Sequence, residues 1–328
     1  IHNTQNMKLL VTGGAGFIGA HLTNAILEST KATVTVYDNF SNGRRWAFGD
    51  WLRSDRLTII EGDARDAETL TKSIQGHDIV YHLAANADIA RAAIEPSIDF
   101  DNGIVTTNCL LEAMRITGVR RIVFTSGSGV YGDVPPIPIP ENYDKMIPVS
   151  TYGASKLASE VLISAYSYMF NIDATIFRFA NVVGPHQTHG VAHDFIRRLL
   201  KAPKTLKIFG DGSQSKPYVY IEDILAAFKF METNNHERYD IFNVGTEDHI
   251  TVKEIADLVC EGMGLKNVTY EFTGGSRGWK ADVPVYRLDT SKVRRMGWSS
   301  SRNSYEAVKR SIETMLEDVK KGLITKEE

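Results

Sequence analysis

Cysteine is scarce: the 328 residues hold two, Cys109 and Cys260. That excludes a disulfide-stapled scaffold and fits a reduced, cytoplasmic protein. Long apolar runs are missing as well, none approaching the ~18–20 residues of a membrane span. The polar start, Ile1 to Asn6, has neither the basic nor the apolar stretch of a signal peptide, and it is left outside the expected fold. Neither charge dominates: 37 Lys and Arg against 40 Asp and Glu leave a net −3. No polyanion-binding surface is implied, so nucleic acid is not expected as a partner. There are no internal repeats and no low-complexity tract, and Pro135 to Pro140 is a stiff extended loop. What is present is globular composition, 43% hydrophobic and 23% charged, which excludes a disordered chain. At roughly 100–200 residues per domain the length suits two lobes, and such a chain needs no metal or disulfide staple.

Through the first half, short β-rich runs alternate with helical patterns. Lys8 to Val11, Thr33 to Tyr37, Leu57 to Ile60, Ile79 to Leu83, Arg121 to Phe124 and Ala174 to Phe177 read as buried strands. Helical stretches such as His21 to Ser29, Ala67 to Ile74 and Ile104 to Ile116 lie between them. Strand then helix, repeated, predicts a doubly wound parallel α/β sheet of Rossmann type. After about residue 180 the rhythm breaks into Gly-, His- and Pro-rich loops and short helices at Tyr220 to Met231, Val252 to Gly262 and Ser304 to Lys320. The expected organisation is therefore a dinucleotide domain over 7–180 and a smaller mixed α/β substrate lobe over 181–328, with segments free to interleave.

Gly13, Gly16 and Gly19 join the first strand to the first helix at GxxGxxG spacing, with Phe17 and Ile18 inside the turn. Missing side chains let a pyrophosphate approach the backbone, and a helix N-terminus offers free N–H groups. Asp38 closes the second strand about 20 residues on, placed to accept from the adenosine ribose. A carboxylate there repels a 2′-phosphate, so NAD is expected rather than NADP. Asn39 follows it in the same contact set. Asp63, beside Ala64, is placed for the adenine amino group, and Leu83, Ala84 and Ala85 for the crevice at the strand ends; the alanines equally suit helix–sheet packing.

Tyr152 and Lys156 stand four residues apart at the head of a helix expected over Ala154 to Phe170, on one face. A free tyrosine, pKa about 10, is a poor base at neutral pH. A neighbouring ammonium and a positive nicotinamide ring favour phenolate, so the phenol can take a hydroxyl proton while hydride leaves for the ring.

The segments TGGAGFIG ending at Gly19, HLAA starting at His82, Val130-Tyr131-Gly132 and YGASK starting at Tyr152 are joined by Arg178 to Pro185, Gly210 to Lys216 and Gly278 to Pro284. In this order they resemble the extended short-chain dehydrogenase/reductases, the NAD-dependent epimerase/dehydratase family, from Met7 to about Lys320. Within it the chain is most similar to archaeal-type UDP-galactose (UDP-glucose) 4-epimerases. The resemblance implies a tightly held NAD that oxidises C4 of a UDP-hexose, a 4-keto intermediate, and hydride return to the other face. It makes Tyr152 the catalytic base and Lys156 its partner, and puts Asn102 near the cofactor. Asn181 and Lys216 fall on the substrate diphosphate, Arg277 and Asp282 on diphosphate and uridine ribose, and Tyr286 at a gate beside the sugar's C2 substituent. The family's usual Ser/Thr before the Val-Tyr-Gly turn is Gly127 here, with Ser126 or Ser128 as substitutes or Tyr152 working alone. Gly127, Ser128 and Gly129 also lack the acid and base that elimination of water requires. Other readings stay open: an epimerase of UDP-N-acetylglucosamine or UDP-glucuronate, a nucleotide-sugar keto-reductase, or a non-enzymatic NAD-binding regulator.

His186, His189 and His193 share no evident face and no ligand spacing, so loop histidines near a diphosphate sugar are expected rather than a metal site. Both cysteines read as small buried hydrophobes. The resemblance also implies a homodimer paired through the helices at 104–116 and 154–170, although their periodicity equally allows packing on the sheet.

Overall fold

The computed structural model describes residues 6–86, 89–235, 237–279 and 281–325, without side chains at 89 and 90. The polar start (residues 1–5) and Lys280 of the Gly278 to Pro284 segment lie outside the described residues.

Seven strands form the main sheet: β1 Lys8–Thr12, β2 Thr33–Asp38, β3 Leu57–Glu61, β4 Ile79–His82, β5 Arg121–Gly127, β6 Asp173–Phe179 and β7 Tyr239–Val244. Their order is β7-β6-β5-β4-β1-β2-β3, and β1 through β5 pair in parallel. The chain reverses direction between β1 and β4, the topological switch point outside which α/β sheets bind ligands. Central strands are apolar along their length because helices cover both faces: Leu9, Leu10, Val11, Ile79, Val80 and Tyr81 are all buried. The helices Ala67–Ile74 and Thr106–Thr117 close one side through Leu70, Ile74, Leu110, Leu111 and Met114, in one cluster with Ile122 and Ile176.

The chain divides into two units. The first holds 1–131, 146–178 and 228–242; the second holds 132–145, 179–227 and 243–328. The principal division falls at Arg178, and two segments cross over. The 228–242 segment, which follows residue 180 in the sequence, joins the first unit, an interleaving the sequence expectation left open. It carries β7, whose Tyr239 and Ile241 pack on the sheet's core cluster.

The second unit is mixed, built from short strand pairs. Tyr218–Tyr220 runs parallel to Asn181–Val183, and Ser215–Lys216 antiparallel to Ile250–Thr251. Helices Val252–Gly262 and Ser304–Lys320 begin on capping boxes, Thr251 with Glu254 and Asn303 with Glu306. No helix among the described residues is long and apolar enough to cross a membrane.

Candidate active site

β1 delivers Thr12 to the glycine turn, and the helix Phe17–Ser29 starts at Gly16 with no side chain capping it. Its first N–H groups are left for an anion. Gly13 has φ +66°, and a Cβ there would lie 2.7 Å from the Ala84 nitrogen, so only glycine lets this turn pack on the loop after β4. Phe17 and Ile18 are half-buried, and the Phe17 ring meets His21 edge-on. Asp38, nearly buried at the end of β2, accepts from the Ala15 N–H at 2.9 Å and the Phe40 N–H at 2.8 Å. Burial raises its pKa while those two backbone bonds pull it down, and the rise prevails. The pinned carboxylate keeps lone pairs for further donors. Exposed Asn39 spends its side-chain oxygen on the Ser41 N–H.

Asp63 is not free in the way the adenine assignment supposes. Arg65 grips its carboxylate through Nε and Nη2, at 2.9 and 2.5 Å, and holds its pKa down. Ala64 is buried beside it, while Leu83, Ala84 and Ala85 are half-buried. Asn102 sits in a wide π-type turn, Phe100–Val105, and its carbonyl accepts from Thr106.

The Tyr152 helix spans Thr151–Phe170 and therefore starts three residues earlier than the sequence pattern suggests. Ser150 caps it by accepting from the Gly153 N–H at 3.0 Å. Its first turn lies close to the end of β5: a Cβ on Gly153 would fall 2.4 Å from the Gly129 carbonyl oxygen, nearer than any side chain tolerates. Buried Lys156 donates to the Thr125 carbonyl at 2.7 Å, and its Nζ lies 5.8 Å from the centre of the Tyr152 ring.

The charge states depart from the sequence expectation. Burial, then the Asp99 charge, pushes Tyr152 up to about 12, although part of the residue's surface remains open. Burial brings Lys156 down to about 8 against the opposing pull of Glu160. Desolvation disfavours both charged forms; the sequence argument weighed the ammonium and a nicotinamide ring and left this contribution out.

Ser126 on β5 is buried, and its hydroxyl has no hydrogen-bond partner among the described residues. Ser128 opens a short 3₁₀ turn and is half-buried. Between them Gly127 has φ −163° and ψ 171°, an extended backbone open to any residue, so no torsional need explains the glycine.

A polar chain unforeseen in the sequence runs beneath. His82 Nδ1 lies 2.7 Å from Thr12 Oγ1, and Nε2 lies 3.0 Å from Thr107 Oγ1, which reaches Ser159 at 3.0 Å. Burial, then the Lys156 charge, pulls His82 down to about 3, so it is a neutral imidazole. Also unforeseen is the buried pair Glu160–Arg178, with Tyr131 accepting from the same guanidinium.

In the second unit the structure brings Lys216, Arg277 and Asp282 together. Lys216 Nζ meets Asp282 Oδ1 at 2.6 Å, Asp282 Oδ2 accepts from the Gly278 N–H, and Arg277 donates to the Asp282 carbonyl and to Asp133. Asn181 hydrogen-bonds Tyr218, and buried Tyr286 lies beside that phenol. The histidines are separated: His186 binds Asp318, whereas His193 is buried on the helix Val191–Lys201 and is no loop residue. No group of three His, Cys, Asp or Glu is placed for a metal among the described residues. Cys260 is buried, but Cys109 is only half-buried, its thiol facing the Arg65 carbonyl.

A family model described as the NAD dependent epimerase/dehydratase family matches residues 9–245. A UDP-glucose 4-epimerase of Mycolicibacterium smegmatis is 33% identical over 317 residues, 94% of this chain and 98% of that protein. The crystal structure of a Thermotoga maritima UDP-glucose 4-epimerase with UDP-glucose superimposes with a TM-score of 0.84 at 30% identity, covering 95% of this chain and 100% of that one. A Bacillus cereus UDP-glucuronic acid 4-epimerase, in complex with UDP-glucuronic acid and NAD, gives a TM-score of 0.84 at 28% identity, covering 95% and 99%.

Proposed function

The chain belongs to the NAD dependent epimerase/dehydratase family, and on that premise we propose that it interconverts UDP-glucose and UDP-galactose through a 4-keto sugar. The observation that carries this reading is the pairing of Tyr152 and Lys156 on one capped helix against a β5 end that holds hydroxyls and no carboxylate. The residues suit NAD: an uncapped helix N-terminus, a glycine turn with no room for Cβ, and a pinned carboxylate, Asp38, at the end of β2. When bound, NAD supplies a reversible hydride acceptor for C4. Tyr152 takes the O4 proton as the C4 hydrogen departs with its electron pair, and gives it back on return. Lys156, anchored to Thr125, keeps two of its three donors for a ribose and lends positive charge to the phenol. Ser126, with its unpaired hydroxyl, shares the O4 proton in place of the hydroxyl absent at Gly127. Lys216 and Arg277 answer a diphosphate, and Asp282 a ribose.

Homodimer formation is proposed as well, through the apolar surface of Ile116, Val161, Tyr168 and Met169, all exposed in the first unit; light scattering of the purified protein tests it.

The functional test is incubation of purified protein, no NAD added, with UDP-galactose, UDP-N-acetylgalactosamine and UDP-galacturonate separately. Conversion of UDP-galactose to UDP-glucose is expected, and Tyr152→Phe should abolish it while leaving NAD bound. Conversion of another sugar alone reassigns the substrate. A requirement for added nicotinamide, with a reduced product, makes the enzyme a reductase, and no conversion of any sugar favours a regulator.

A further inference from the structure

Asp99 is a buried carboxylate, 1% exposed, that no ion pair reaches among the described residues. It ends the short helix Ser97–Asp99, ahead of the turn that carries Asn102. Its two oxygens are spent on opposite neighbours. Oδ2 accepts from the Thr151 hydroxyl at 2.6 Å, and Thr151 is the first residue of the helix that presents Tyr152. Oδ1 accepts from the Asn86 side-chain amide at 2.9 Å, and Asn86 lies in the loop that begins with Leu83 and packs on the glycine turn.

We propose that Asp99 is a positioning residue: its carboxylate clasps the head of Tyr152's helix to the loop after β4, an inference resting on Tyr152 as the base. Among the described residues, two charged groups bear on that phenol. Lys156 comes from its own helix, and its charge is in turn favoured by Glu160, which Arg178 engages. Asp99 comes from the preceding segment and opposes the phenolate. The neighbouring His82 is neutral. In this arrangement Tyr152 remains a phenol until a further cation is held beside it. Thr and Asn alone could hold two elements together; a carboxylate adds a negative charge that, beside burial, disfavours the phenolate.

Asp99→Asn keeps shape and an acceptor for Thr151 while removing the charge and the oxygen that accepts from Asn86, and Thr151→Val removes one clasp while keeping the charge. Two readouts are taken on each purified variant: kcat and KM against pH with UDP-galactose, and ¹³C-tyrosine NMR titration of the Tyr152 ring, assigned against Tyr152→Phe. Asp99→Asn should lower the pH at which the phenol ionises by about one unit, move the acid limb of kcat in the same direction, and leave KM within about twofold. Thr151→Val should leave that titration in place and lower kcat by about tenfold, with Thr151→Ser restoring it. An unchanged phenol titration in Asp99→Asn overturns the charge role, and an unchanged kcat in Thr151→Val overturns the clasp. Should Asp99→Asn fail to fold, Thr151→Val still decides on the clasp. If wild-type protein turns over no UDP-sugar, the proposed function fails, yet the NMR titration still judges Asp99.

Discussion

Glu160→Gln removes one charge and almost no volume from the interior of the first unit. Glu160 and Arg178 are 2% and 1% exposed. The guanidinium donates to both carboxylate oxygens, Nε to Oε1 at 3.1 Å and Nη2 to Oε2 at 2.6 Å, and Nη1 donates to the Tyr131 hydroxyl at 2.9 Å. After the change a buried guanidinium faces a neutral amide. Losing one partner of such a pair costs about 3–5 kcal/mol, a large part of the roughly 5–15 kcal/mol that holds a fold. At about 2–4 °C per kcal/mol for a chain above 150 residues, the melting temperature should fall by roughly 6–20 °C.

The same substitution tests the site. Glu160 is the group that raises Lys156 against desolvation, so without it the lysine should lose its proton at lower pH and the alkaline limb of kcat/KM should move down. The assay is thermal unfolding at pH 7 together with a pH–rate profile. The comparison protein is the double variant Glu160→Met with Arg178→Met. With no charge left unpaired, it should be less destabilised than either single change. A Glu160→Gln protein that melts within about 2 °C of wild type, against this expectation, or a double variant as unstable as the two singles added, would refute the reasoning.

Gly13→Ala places a Cβ 2.7 Å from the Ala84 nitrogen at φ +66°, so the purified variant should carry no NAD, as read by absorbance and by chromatography of the denatured extract. Gly127→Ser meets no torsional penalty at φ −163°; kcat should rise by about tenfold if the missing hydroxyl limits the rate, while an unchanged rate assigns the task to Ser126. Glu232, which accepts from the Tyr81 hydroxyl in apolar surroundings, is pushed up to about 7 by burial. Its folded pKa exceeds the unfolded one, so the stability it confers is full below about pH 4.5 and is lost as pH rises to about 7. Glu232→Gln should therefore gain about 1–3 kcal/mol over wild type at pH 8 and nothing at pH 4; the same melting difference at both pH values refutes this.

The legible part of this molecule was local. Leu9 to Val11 and Ile79 to Tyr81 announce central strands because both faces of a parallel sheet are covered. The glycine turn and the Tyr152–Lys156 spacing are likewise contained within a few residues. β7 was missed for the converse reason. Tyr239 to Val244 looks like the short strands of the second unit, and only its packing on the far edge of the sheet distinguishes it. The Thr12–His82–Thr107–Ser159 chain, the Glu160–Arg178 pair and the Asp99 clasp join residues far apart in sequence, so no spacing announces them.

Ionisation was the least legible property, because it is set by what covers a group. An i, i+4 lysine lowers a tyrosine's pKa when both are wet, the Coulomb attraction then being the chief difference from bulk. Here Gly153 lies against Gly129, and Gly103 against Ser155, so close that neither glycine has room for a Cβ. This contact presses the head of the helix onto its surroundings and withdraws water from Tyr152 and Lys156. Desolvation moves each toward its neutral form, and Asp99 adds to the effect on the phenol. In the proposed reaction a bound nicotinamide ring would join the charge of Lys156 in favouring the phenolate. Proton removal is then favoured in the loaded site, where the C4 hydride has an acceptor.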